Sequence, residues 1–177
     1  MYTADEFEQA SRIVYAAMPP TPQFAWPLLR DATGCETWVK HENHTPTGAF
    51  KVRGGLVHMK MRKDRGETGG VITATRGNHG QSIPFAAARV GIHATIVCPI
   101  GNSPEKNAAM RALGAELIET GHDFDAARET AMELAKARGL ARHGLRDAAH
   151  AAEGGDHPGL DQDIPPARGG DKIFLRQ

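Results

Sequence analysis

The chain has 177 residues, enough for one ordinary domain with a real core, and its 40% hydrophobic and 24% charged content is normal for a globular protein. Lysine and arginine (21) balance aspartate and glutamate (21), so no net field gathers nucleic acid or an anionic membrane. Two cysteines, Cys35 and Cys98, are too few for a disulfide framework, the acidic start lacks a secretory leader's apolar core, and no apolar run approaches membrane-spanning length. A cytoplasmic protein is expected.

In chain order, Phe7, Ala10, Ile13, Val14 and Ala17 recur at helical spacing over Ala4 to Ala17, and Pro19-Pro20-Thr21-Pro22 ends that helix. Thr37 to Lys40 reads as a short strand after the turn signal at Gly34. A polar Gly/Pro segment, His41 to Gly48, leads to a helix from about Phe50 to Lys63. From Gly70 a rhythm begins: strand Val71 to Thr75, turn Gly77 to Gly80, helix through Ala88, strand Ala94 to Cys98. Ser103 is placed to cap the next helix, with Pro104 at its first position and Leu113-Gly114 closing it. Ala115 to Ile118 is a third strand, and Phe124 to Arg138 a long helix striped by Ala127, Ala131, Leu134 and Ala135, stopped by Gly139. Wholly apolar strands alternating with helices predict an α/β fold with an open parallel sheet covered on both faces.

The tail from Ala141 to Gln177 differs: 27 of its 37 residues are Ala, Arg, Gly, Pro, His or Asp, and an apolar run returns only at Ile173-Phe174-Leu175. Such a segment is expected to be irregular and not to continue the rhythm.

The densest chemical signal is Lys40 to Gly55, with Pro46-Thr47-Gly48-Ala49-Phe50-Lys51-Val52-Arg53-Gly54 at its centre. A lysine nucleophile must be held at a fixed point and partly desolvated, and a Pro/Gly loop running into a helix does this for Lys51. Alone, such a lysine is far more often a solvated surface charge. The second signal, Thr73-Ala74-Thr75-Arg76-Gly77-Asn78-His79-Gly80, follows a strand and opens a helix, where free backbone N–H groups and the helix dipole favour an anion. By itself it is better read as an ordinary strand-to-helix turn that needs glycine.

Together the two segments resemble the signatures of fold-type II pyridoxal 5′-phosphate (PLP) enzymes, specifically the threonine/serine dehydratase group of the tryptophan-synthase-β-like superfamily. That group's pattern is Pro-Thr-Gly-Ser-Phe-Lys-x-Arg-Gly, then Ser-x-Gly-Asn-His after the next strand. The likeness runs from about Met18 through Gly139. It implies Lys51 as the catalytic, Schiff-base lysine, Phe50 beside the cofactor ring, and Asn78 hydrogen-bonded to the 3′-oxygen of PLP. Thr75, Arg76, Gly77, Asn78 and His79 would hold the substrate carboxylate. The implied reaction is β-elimination on a small hydroxy-amino acid, with Lys51 taking the α-proton, giving a 2-oxo acid and ammonia. The implied organisation is residues 1–55 as the start of the large domain, 56–140 as the small α/β domain, and 141–177 as a divergent tail.

Two departures stand out. Arg76 occupies a position commonly alanine in dehydratases and a basic serine in racemases, which disfavours two-base racemisation. It is either solvent-facing or a grip on an extra substrate carboxylate, as in 3-hydroxyaspartate. The family's phosphate-binding glycine loop and pyridine-nitrogen contact belong to a C-terminal half that is expected to be missing here. Gly154-Gly155 and Gly169-Gly170 lack that loop's four-residue glycine run and flanking elements. A shift of reading frame or a gene rearrangement near Gly139 to Ala141 would explain the abrupt change of composition. Two functional classes follow: a PLP-dependent ammonia-lyase, with β-replacement or racemisation as variants, and a non-catalytic fragment of that family. Absent domain partners imply exposed apolar faces and self-association or a homo-oligomer.

Nine histidines invite a metal reading, yet none has ligand spacing. His41 and His44 lie in a loop-forming segment. His143, His150 and His157 recur every seven residues, but Gly144, Gly154 and Gly155 interrupt any helix there. No metal is expected.

Overall fold

A computed structural model describes residues 3–144 and 172–176, which fall into two compact units. The described residues of one are 3–20 and 45–144; those of the other are 21–44 and 172–176.

The smaller unit is built on a three-stranded sheet. Strand β1 (Gln23–Ala25) pairs antiparallel with β2 (Glu36–Lys40), and helix α2 (Pro27–Thr33) joins them. The strand expected at Thr37 to Lys40 is β2; β1 and α2 escaped the sequence reading. At three exposed residues β1 shows no alternation, and α2 is only seven residues long, although Pro27 opens it and Gly34 (φ 71°) closes it. A single 3₁₀ turn, Glu42–His44, carries the buried Glu42, whose carboxylate accepts a bond from Thr21 Oγ1 (2.8 Å).

The larger unit follows the expected rhythm. Helix α1 (Ala4–Ala17) opens with a capping box in which Thr3 and Glu6 satisfy each other's backbone N–H groups. Helix α3 (Lys51–Asp64) packs on α1 and, most extensively, on α4 (Asn78–Val90). Strands β3 (Val71–Ala74), β4 (Ala94–Cys98) and β5 (Glu116–Glu119) run parallel, linked by α4 and by α5 (Pro104–Ala112), which Ser103 caps as expected. Helix α6 (Phe124–Arg138) ends at Gly139 in the left-handed conformation.

The tail departs from expectation at both described ends. Ala141–Arg142 form β6, which pairs parallel with β3, so the rhythm continues for one more strand. Two residues are too short to leave a sequence pattern. Lys172–Arg176, containing the apolar run, form β7 parallel to β2 in the smaller unit. Gly154-Gly155, Gly169-Gly170, His150 and His157 lie outside the described residues. Helix α1 and the start of α3 pack with α4, so Lys51 belongs to the unit that holds β3.

The sheet order β5-β4-β3-β6 explains the two hydrophobic layers. Val71 and Ile96 face one layer with Val52, Met59 and Ile83 of the α3/α4 side; Ile72, Ala74 and Val97 face the other, against Ala127, Ala131 and Ala135 of α6. Alanines four apart let α6 lie close on the strands. Each fully buried branched side chain contributes about 1.5–3 kcal/mol. The order also creates a switch point: after β3 the chain builds β4 and β5 to one side, then returns to place β6 on the other. In open parallel sheets, ligands bind at the carboxyl ends of strands at such a point.

Candidate functional site

The carboxyl end of β3 opens on a cleft of about 670 Å³ lined by Lys51, Ala74, Thr75, Arg76, His79 and Phe124, with Gly144 following β6. This lies at the switch point, and the volume is in the range of small-molecule sites. A second hollow, about 500 Å³ along α6, is lined by Met132, Glu133, Lys136 and Arg142 and contains no motif residue.

Lys51 is exposed at the first position of α3. The turn before it is closed by Thr45, a buried residue whose Oγ1 accepts the Ala49 N–H and donates to the Ala49 carbonyl (2.9 Å each). Gly48 takes φ 66°, which its lack of a Cβ permits, and its N–H bonds the Thr45 carbonyl. From α4, Ser82 Oγ donates to the Lys51 backbone carbonyl (2.7 Å).

The second loop continues the ladder by one bond, Thr75 N–H to the Val97 carbonyl (3.0 Å). Buried Thr75 Oγ1 then accepts the Gly77 N–H (3.2 Å), turning the chain into α4. No side chain caps α4, so its first N–H groups point outward uncapped, an arrangement that suits an anion. Gly80 is required by space: a Cβ there would overlap Met110 Sδ and lie 2.6 Å from Thr75 Cγ2.

Arg76 is exposed on the cleft wall, its guanidinium carbon 6.0 Å from the centre of the Phe124 ring. The Asp123 carboxyl is held below its ordinary range, first by the Ala126 N–H that it caps and to a smaller degree by Arg76. Arg76 is therefore both solvent-accessible and part of the cleft.

His79 stacks on His143 (5.0 Å, 19° between planes), and His143 lies tilted against His58 (4.1 Å, 40°). Desolvation lowers all three imidazoles; His58 and His79 add repulsion that pushes His143 down to about 4. His79 Nε2 is buried without a partner among the described residues. There, no group of three His, Cys, Asp or Glu side chains is arranged to hold a metal ion.

Of the residues expected at the site, the cleft gathers Lys51, Thr75, Arg76 and His79. Gly77 is buried, while Phe50 (47% exposed) and Asn78 are exposed and do not line it. Sequence reading missed Phe124, Gly144, Ser82 and the His58–His143 contact. The switch-point rule would have pointed to the residues after β6 had that strand been legible.

Comparison with known proteins decides the family. Residues 14–157 match the family model described as pyridoxal-phosphate dependent enzyme. The chain belongs to that family. It is 40% identical over 106 residues to an L-threonine ammonia-lyase of Geobacter sulfurreducens, covering 60% of this chain and 26% of that protein. It is 36% identical over 127 residues to the biosynthetic L-threonine dehydratase of Escherichia coli, covering 72% and 25%. Among solved structures, a pyridoxal 5′-phosphate-dependent aspartate racemase superposes with TM-score 0.73 at 30% identity, over 80% of this chain and 44% of that one. The processed threonine deaminase isoform 2 of Solanum lycopersicum gives 0.67 at 32%, over 82% and 44%. The chain thus spans about a quarter of the length of these curated relatives, and its α/β architecture is that of fold-type II PLP enzymes. Among the described residues, no helix is long and apolar enough to cross a membrane.

The residues present fit the cofactor on its aldehyde side. A primary amine at a pinned helix start opens on a cleft that also holds an uncapped helix N-terminus.

Proposed function

We propose that the chain carries the lysine side of a PLP-dependent site for β-elimination on a hydroxy-amino acid, releasing a 2-oxo acid and ammonia as in threonine/serine ammonia-lyases. The observation that carries this is Lys51 sharing one cleft with Thr75, Arg76 and His79. When bound, the cofactor supplies an electron sink for charge developing at the substrate α-carbon. Lys51 would hold the cofactor through its Nζ and move the α-proton; Phe50 and Asn78, which do not line the cleft but adjoin its lining residues Lys51 and His79, would reach the cofactor from the cleft's edge; the amides opening α4, with Thr75, Gly77 and His79, would receive the substrate carboxylate. Borohydride reduction in the presence of PLP, followed by peptide mapping, tests the assignment. A pyridoxyl mass concentrated on Lys51 and absent from Lys51→Ala is expected. Labelling spread evenly over exposed lysines such as Lys136 would favour the non-catalytic fragment.

The position of Arg76 on the cleft wall favours a second, finer reading: a substrate with a second carboxylate, such as 3-hydroxyaspartate. Arg76→Ala should then reduce release of 2-oxo acid from 3-hydroxyaspartate at least tenfold more than from threonine, about the value of one charge-assisted bond. Equal loss on both substrates would sink it. An arginine in place of a second acid–base hydroxyl also weighs against racemisation.

A further inference from the structure

Helix α3 begins without a cap of its own. Its N-cap residue, Phe50, already has helical backbone angles (φ −61°, ψ −21°) and makes no side-chain cap bond. Uncapped first turns fray, and a nucleophile placed there loses its fixed address. The anchor comes from a neighbouring helix. Ser82, completely buried on α4, donates from Oγ to the Lys51 carbonyl at 2.7 Å. Its hydroxyl occupies space that a side chain at position 55 would need: a Cβ on Gly55 would overlap Ser82 Oγ and lie 3.1 Å from the Ser82 carbonyl oxygen. Four residues before Ser82, α4 begins at Asn78, immediately after the loop that carries Arg76. One hydroxyl therefore ties the backbone of Lys51 to the helix that presents the other motif.

We infer that Ser82 is a positioning residue for Lys51, fixing the lysine against the loop at 75–79, with Gly55 as the gap that admits the bond. This rests on the reading of Lys51 as the cofactor-binding lysine. Ser82 touches neither cofactor nor substrate in this assignment; it acts through the Lys51 carbonyl.

The test is the ratio of pyridoxyl label on Lys51 to that on Lys136, an exposed lysine on α6, after borohydride trapping in the full chain below its melting temperature. Ser82→Ala removes only the donor, and alanine suits a helix interior, so the fold is retained. The ratio is expected to fall about three- to tenfold, the range of one hydrogen bond. Ser82→Cys, which restores a weak donor, should give an intermediate ratio. Simple loss of stability would raise labelling at both lysines rather than lower it at one. Equal ratios in wild type, Ser82→Ala and Ser82→Cys would overturn the inference while leaving Lys51 assigned, provided that wild type prefers Lys51. Absence of that preference in wild type would instead remove the assignment on which it rests.

Discussion

Residues 45–50 enter α3 through a closed turn, in which one threonine hydroxyl both donates to and accepts from the same alanine and a buried serine pins the next carbonyl. Residues 75–77 enter α4 through a loop with a single internal bond, Gly77 N–H to Thr75 Oγ1, and an uncapped helix behind it. The first arrangement fixes one side chain; the second leaves backbone donors free for a ligand. A nucleophile needs the former and an anion site the latter. The contrast suits the two segments to different tasks, and it supports the roles proposed for them.

The largest expected effect is on the open side and depends on pH. His143 is neutral in the fold because burial and the neighbouring imidazoles hold it down to about 4, whereas an unfolded histidine takes its proton near 6.5. The unfolded state thus binds more protons between these values, so stability is fully present above about pH 6.5 and falls as pH drops towards 4. His58, His79 and Arg62 all oppose the charge on His143, while Glu67 favours the charged form of His58 alone. A loss of roughly 2–3 kcal/mol across the window is expected in urea unfolding, and His143→Phe should flatten it. An unchanged slope in that variant would show that the stack does not set the acid limit.

Thr45→Val tests the closed turn. Valine keeps the shape and removes the hydroxyl, leaving the Ala49 N–H and carbonyl without their partner inside the protein. A loss of about 2–3 kcal/mol is expected, together with faster hydrogen exchange at the Ala49 amide. The matching change in the open loop, Thr75→Val, removes one acceptor and should cost about 1 kcal/mol. If Thr75→Val costs as much as Thr45→Val, the two loops are not built differently.

Much of this was legible in the sequence, for identifiable reasons. Helices α1 and α6 have end signals at both termini, Thr3 with Pro19-Pro20 and Asp123 with Gly139, and their observed limits match the expected ones. Strands β3 and β4 are buried on both faces and so read as continuous apolar runs. What was missed depends on partners distant in sequence. Strand β6 exists because β3 has a free edge; the Gly70 and Ile72 carbonyls, which accept the Ala141 and His143 N–H groups, recruit it, not the composition of Ala141–Arg142. The cleft residues Phe124 and Gly144 carry no motif and reach Lys51 only through the crossover that places β6 beside β3. His143 was read as one of a tail series and proves to be part of a stack on α3 and α4.

The smallest effect separates two adjacent glycines of α3. Gly55 faces Ser82 and has no room for a methyl group, whereas Gly54 is exposed and a Cβ there meets nothing within 4 Å. Neither has a positive φ, so backbone conformation does not demand glycine at either position. Gly54→Ala should therefore stabilise by about 0.5–1 kcal/mol, through helix propensity and a less flexible unfolded chain. It should leave the Lys51 to Lys136 labelling ratio unchanged, since the Ser82 bond is untouched. Gly55→Ala gains the same propensity but loses more to the overlap, so the two substitutions should differ in sign when compared by denaturant unfolding. The same sign for both would mean that α3 and α4 can separate slightly at little cost, and the pinned start of α3 would then be softer than the open start of α4.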